Sequence, residues 1–149
     1  MIDSSSIVGI DVSKASLDVA FGLDMPVQRF LNQPTGHRAL ARALAKRPAT
    51  RIVMEATGGY EHRVLRHLTD QRLPALRVNP RQVRDFARAT GILAKTDAID
   101  ARVLVRFGAA VEPEHRPLPS LEQERLARLH TRRVQLLEHR TAEMNRIQQ

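Results

Sequence analysis

Apolar positions come first in short runs and then at helical spacing. Residues 6–12 hold the run IVGIDV, interrupted by Asp11. Residues 16–22 alternate, with Leu17, Val19 and Phe21 on one face and Asp18 on the other. Residues 27–31 form a third extended segment after a turn at 24–26. Spacings this short predict an antiparallel meander. The period then changes. Leu40, Ala41 and Leu44 lie at helical spacing within 36–46, and Pro48 is placed to stop that helix. A strand is predicted over 51–55, a helix over 60–71 with the stripe Val64, Leu65 and Leu68, and a strand over 75–78. Asn79-Pro80 opens a helix running to about Ala89, because proline suits the first helical turn. A further helix is predicted over 96–110, with Thr96 as its N-cap.

The pattern breaks at 112–119, where Pro113, Pro117 and Pro119 mark a linker. Residues 120–149 contain neither Gly nor Pro, and Ser120 with Gln123 fits a capping box. The apolar stripe of that helix is poor: Leu126, Leu137, Met144 and Ile147 share a face with His130, Arg133 and Arg140. Such a helix fits an arm or coiled-coil segment that needs a partner, so a homodimer or higher homo-oligomer is expected. The pattern is still helical at Gln149, which reads as a chain stopping before a further domain. The expected division is therefore a domain over 1–111, a linker over 112–119 and the start of a helical arm over 120–149. The order of elements in the domain, a meander followed by alternation, is that of an α/β fold with a mixed sheet flanked by helices. Ribonuclease-H-like nucleases begin this way, and so do actin-like and sugar-kinase ATPases.

Composition narrows the function classes. Cysteine is absent, which removes disulfides, thiolate metal sites and cysteine nucleophiles. No apolar run approaches the ~18 residues of a membrane span, and the N-terminus lacks the pattern of a secretory signal. A cytoplasmic protein without membrane attachment is expected. Lys plus Arg number 24 against 16 acids, a formal charge of +8. Nearly all the cations are Arg, the residue of bidentate phosphate recognition, although a GC-rich genome would write the same bias. The span 72–95 holds Arg72, Arg77, Arg81, Arg84, Arg88 and Lys95 against the single acid Asp85. Arg81, Arg84 and Arg88 fall on one helical stripe, a layout suited to phosphate contacts. Arg77, Arg81, Arg84, Arg88 and Lys95 are the candidate nucleic-acid contacts; the alternative is a solvated helix face. Aromatic residues are scarce, which argues against base stacking as the main mode.

Four acids stand out. Asp11 interrupts an apolar strand, and Glu55 ends one. Asp97 and Asp100 sit three apart on one face of a helix start. Each has an ordinary reading. Asp11 could occupy a turn, Glu55 could mark a strand's exit to solvent, and the Asp97/Asp100 pair could serve the helix dipole. Together they could converge on Mg2+, which takes oxygen ligands, with Mn2+ as a substitute. Asp3, Asp18, Asp24, Asp70 and Asp85 read as solvated charges. Tyr60 reads as packing at a helix start, and His37, His62 and His67 as scattered on polar faces without metal-ligand spacing.

The segments IVGIDVSKASLDVAF, VMEATGGYEH, VNPRQVRDFARATG and AKTDAIDARVLVRF occur in that order between Ile7 and Phe107. In this the chain resembles the N-terminal part of the DEDD transposases of bacterial insertion sequences, the family often called one-ten, which includes the Piv-type DNA invertases. The four letters fall on Asp11, Glu55, Asp97 and Asp100. The resemblance implies a RuvC-like, ribonuclease-H-type fold whose four acids are catalytic and bind Mg2+. It implies DNA recombination guided by a structured bridge RNA, in a bacterial protein that associates with the nucleoid when bound to DNA. It also implies a helical coiled-coil segment and then a second domain with a serine nucleophile. No serine of this chain lies in a matching motif, so the chain alone is expected to be inactive. Two other readings remain: a nucleic-acid-binding and dimerising module, and a standalone RuvC-type junction nuclease. An ATPase reading lacks the second Gly-rich phosphate loop and gives Asp97 and Asp100 no role.

Overall fold

The computed structural model describes residues 6–47, 49–92, 97–113 and 119–147, with the backbone alone for 97–99. The first strand, β1 (Ile7–Val12), carries the most apolar run and lies at the centre of a five-stranded sheet. β2 (Ser16–Ala20) and β3 (Gln28–Leu31) continue from it as the predicted antiparallel meander. On its other side β1 pairs in parallel with β4 (Arg51–Glu55), which pairs in parallel with β5 (Ala75–Val78). The order is β3-β2-β1-β4-β5. Parallel neighbours need crossovers, and the helices α1 (Pro34–Ala45) and α2 (His62–Asp70) lead into β4 and β5. The predicted mixed sheet with flanking helices is therefore present.

Side chains alternate across a strand, so the register assigns each residue to a face. Ile10, Val12, Leu17, Val19, Ile52 and Met54 share one face with the buried stripes of α1 and α2. Ile7, Gly9, Ala20, Val53, Leu76 and Val78 face the other way, toward α3 (Pro80–Ala89) and α4 (Asp97–Ala110). There Ala101, Leu104, Val105 and Phe107 of α4 are buried, and Phe107 meets Phe86 of α3 edge to face with centroids 5.6 Å apart. A Cβ on Gly9 would lie 2.0 Å from the Ala101 carbonyl oxygen, so α4 rests directly on the β1 backbone.

Local chemistry explains the element ends. Pro34 starts α1 two residues before the apolar pattern indicated. Asn79 caps α3 through its side chain, which accepts from the Arg81 amide at 2.9 Å. α2 begins at His62 rather than Tyr60, because Gly58 and Gly59 hold left-handed turns at φ +60° and +98°. Tyr60 does not pack at the helix start; it is 47% exposed. Pro48, Thr96 and most of the Pro-rich stretch, 114–118, lie outside the described residues.

The chain divides into two units, 1–116 and 117–149. The second is dominated by one helix, α5 (Leu121–Ile147). The capping box is made reciprocally: the Ser120 amide donates to Gln123 Oε1 at 2.8 Å, and the Gln123 amide to Ser120 Oγ at 3.1 Å. None of the described side chains of α5 is buried, and Leu126, Leu129, Met144 and Ile147 are exposed. Among the described residues no helix is long and apolar enough to cross a membrane.

Candidate functional site

Two strands and two helices converge at the C-terminal end of β1. Asp11 follows Ile7 and Gly9 at the same parity and so faces α4. β4 runs parallel to β1 with Ile10 opposite Met54. One step further, that register sets Glu55 beside Asp11 on the neighbouring strand, ~4.8 Å away between strand axes. Asp100 lies on α4 immediately before Ala101, whose carbonyl is pressed against Gly9. Asp11, Glu55 and Asp100 all line one cavity of about 520 Å³. Acids from three separate stretches of sequence thus share a single open space. Asp97 opens α4, but its side chain lies outside the described residues. Among the described residues no three carboxylates or imidazoles close into a metal-holding group.

The cavity is not purely acidic. Arg84 and Arg88 line it from α3, with Thr57 from the β4–α2 loop and an apolar wall that includes Val83 and Val103. Arg81 is exposed on the same helix but does not line the cavity. Arg77 departs from the predicted set. It is aligned with Met54 and Ile10, so it points to the opposite face of the sheet. There its Nη1 donates to Glu61 Oε1 at 3.3 Å and lies 3.1 Å from His62 Nε2. It serves a buried ion pair rather than the stripe of Arg81, Arg84 and Arg88. Lys95 lies outside the described residues.

Glu61 was not singled out by its sequence context, yet its side chain is only 1% exposed. Its Oε2 accepts the backbone N–H groups of Thr57 and Gly59, each at 3.0 Å, which fixes the loop leaving Glu55. Burial alone pushes the carboxyl up, but its own and the Thr57 amide, His62 and Arg77 outweigh burial and hold the pKa below 4.5. A carboxyl depressed in the folded state stabilises the fold fully above its unfolded value. That contribution is lost as pH falls below about 4.5 and through the folded-state value. Glu61→Gln is therefore expected to cost about 2 kcal/mol at neutral pH. Urea unfolding of both proteins should show the gap closing on acidification; a gap that widens would refute the assignment.

Two further residues differ from their sequence readings. Asp18 is not a solvated charge: it is 6% exposed. It stands directly opposite Asp11 across the β1–β2 pair, and Arg29 on β3 holds both its oxygens at 2.8 and 3.1 Å. His37 is not on a polar face either, being 3% exposed. Its Nε2 is 2.8 Å from Asn32 Oδ1. The Asn32 amide nitrogen donates to the carbonyls of Ser13 and Tyr60, so Oδ1 is the acceptor and His37 carries its proton on Nε2. Burial, reinforced by His67 and Arg63, holds its pKa below 6.5. Asn32 thereby ties the β1–β2 turn to the loop that follows Glu55.

A mixed sheet with acids at the ends of two central parallel strands and on an overlying helix defines a RuvC-like, ribonuclease-H-type domain. A solved structure of Thermus thermophilus RuvC in complex with a Holliday junction substrate superposes with a TM-score of 0.50 at 15% identity, covering 70% of this chain and 94% of that one. Residues 8–149 match the sequence profile of the IS110-type DEDD transposases, described as a transposase, and the chain belongs to that family. It is also 28% identical over 116 residues to the pilin gene-inverting proteins of Moraxella lacunata and Moraxella bovis. Those matches take in 74% of this chain and 36% of each relative, so the chain spans about a third of their length.

Proposed function

We propose that this chain forms the metal-binding half of a DNA recombinase, with Asp11, Glu55, Asp97 and Asp100 as the ligands of Mg2+ or Mn2+. One observation carries the reading: Asp11, Glu55 and Asp100, distant in sequence, line a single cavity. The donor chemistry fits a hard cation, since the titratable donors there are carboxylates, with neither imidazole nor thiolate among them. A divalent ion so held supplies Lewis-acid polarisation of a phosphodiester and stabilisation of the leaving oxygen. Arg84 and Arg88 bind the flanking phosphates of DNA and orient the strand over the acids. Gly9 and the Ala101 carbonyl set the height of α4 above β1, and with it the reach of Asp100.

In the whole recombinase the attacking group is a serine from a domain outside residues 8–149, and a structured bridge RNA selects donor and target. Membership of the transposase family supports DNA as substrate, and the exposed apolar positions of α5 support assembly of copies through that helix. Titration calorimetry tests the metal site. Mn2+ is expected to bind the wild-type chain, and Asp11→Ala is expected to abolish the binding. Equal heats for both would remove the metal reading and leave a nucleic-acid-binding module.

A further inference from the structure

The charge of this chain has a second centre, on the face of the sheet away from the acids. Between Met25 and Met54 there are six cations and not one acid. Two of them are committed to the acid-bearing side: Arg29 holds Asp18, and Arg51 donates to the Gly108 carbonyl. The other four, Arg38, Arg42, Lys46 and Arg47, lie on α1 and the turn that ends it, and all are exposed.

Their arrangement is ordered. Arg38, Arg42 and Lys46 recur every four residues, so they form one stripe about 12 Å long. Like charges at that spacing repel, and among the described residues none of the three has an acidic partner. Interaction with the helix dipole accounts for Arg42 and Lys46 near the C-terminus but not for Arg38, which lies in the first half of α1. At its C-terminal end the stripe borders a cavity of about 340 Å³, lined by Arg42, Lys46 and Arg47 with Phe21 and Gln28. Arg47 is already positioned there. Its guanidinium lies 5.2 Å from the centroid of the Phe21 ring, and Nη1 is 3.1 Å from Met25 Sδ. A cation fixed on an aromatic ring loses little freedom when it meets an anion.

Phe21 and Gln28 share the parity of Val19, which faces α1. The acid cavity lies on the other face, so one straight duplex cannot occupy both. We propose that the α1 surface formed by Arg38, Arg42, Lys46 and Arg47 binds the phosphodiester backbone of a second nucleic-acid segment, distinct from the one at the acids. A stripe longer than a single phosphate, continuing into a cationic pocket, matches a polyanion rather than a mononucleotide. The inference goes beyond the metal reading and stands if that reading fails, because it depends on no acid.

The test is a salt titration of binding, by fluorescence anisotropy, with labelled duplex DNA and duplex RNA of one sequence as separate probes. The variant is Arg38→Gln/Arg42→Gln/Lys46→Gln, three exposed positions outside the core. A charge-matched control on α5, Arg128→Gln/Arg132→Gln/Arg146→Gln, three exposed positions on the side of that helix away from Leu126, Leu137 and Met144, corrects for net charge. The α1 variant is expected to lower the slope of log K against log salt by about two to three for at least one probe, as each lost phosphate contact removes about 0.9. The α5 control should leave it near the wild-type value. Loss with DNA alone or RNA alone supports the surface and names its occupant. No change with either probe, or an equal change in the control, overturns it. Mn2+ binding by the α1 variant should match the wild type, which separates this result from failure of the metal site.

Discussion

Gly9→Ala is expected to destabilise the domain by at least about 3 kcal/mol and to abolish divalent-metal binding with every acid intact. The added Cβ would sit 2.0 Å from the Ala101 carbonyl oxygen and 3.0 Å from both Leu104 Cβ and the Val105 amide. These are backbone atoms and a Cβ, so no side-chain rotation relieves the clash. Overpacking in cores costs about 1–3 kcal/mol, and more where backbone must move. Alanine's better strand entropy recovers less than about 1 kcal/mol. The relief available is to lift α4 from β1, and Asp100 moves with it. Gly58→Ala is the informative comparison. Its Cβ would meet nothing within 4 Å, so only the strain at φ +60° remains, about 1 kcal/mol. That variant should keep Mn2+ binding. Thermal unfolding should place Gly9→Ala roughly 10 °C below the wild type. An unchanged midpoint with wild-type titration would mean that α4 does not rest on β1.

The same contact marks the limit of what the sequence shows. The central strands are legible because IVGIDV and RIVME are apolar runs, and the meander because its turns are short. The helix over 80–89 is legible because Asn79-Pro80 has one local meaning. Nothing in IVGIDV says that its glycine faces a helix, so the mechanism that brings Asp100 to Asp11 is not readable from the pattern. Asp18 fails for a related reason. The alternation correctly sets it opposite Leu17 and Val19, but the opposite face is α4 rather than water. A sheet covered on both sides has no solvent face for alternation to report. Arg77 stands apart from Arg84 and Arg88 because nearness along the chain carries no facing, and strand parity turns it to the other side of the sheet. His37 was within reach: it lies three and seven residues before Leu40 and Leu44, on their stripe. The imbalance over 25–54 is larger than that over 72–95, and four of its six cations lie on α1 and the turn that ends it.

Arg29→Ala is expected to move stability and metal affinity in opposite directions. Asp18 is held by both of its oxygens, and its side chain is 9% exposed against 62% for Arg29. Removing the guanidinium leaves a buried carboxylate facing Asp11, with Cα atoms ~4.5–5.5 Å apart across the antiparallel pair. Breaking a fully buried pair costs about 3–5 kcal/mol, and the exposure of Arg29 lowers this to about 2 kcal/mol through solvent screening. Urea unfolding should show that loss, and Arg29→Ala/Asp18→Asn should recover most of it. A double variant as unstable as the single would place the cost elsewhere. The effect on the ion is the reverse. Arg29 lies one strand beyond Asp18, within a Debye length of ~10 Å from Asp11, so its removal deepens the negative potential at the acids. Mn2+ should bind more tightly to Arg29→Ala than to the wild type, and the double variant should return toward the wild-type value. Arg29 is thus expected to act as a restraint: it holds the Asp18 carboxylate that stands opposite Asp11, and, on the proposed metal reading, it does so at some cost in cation affinity.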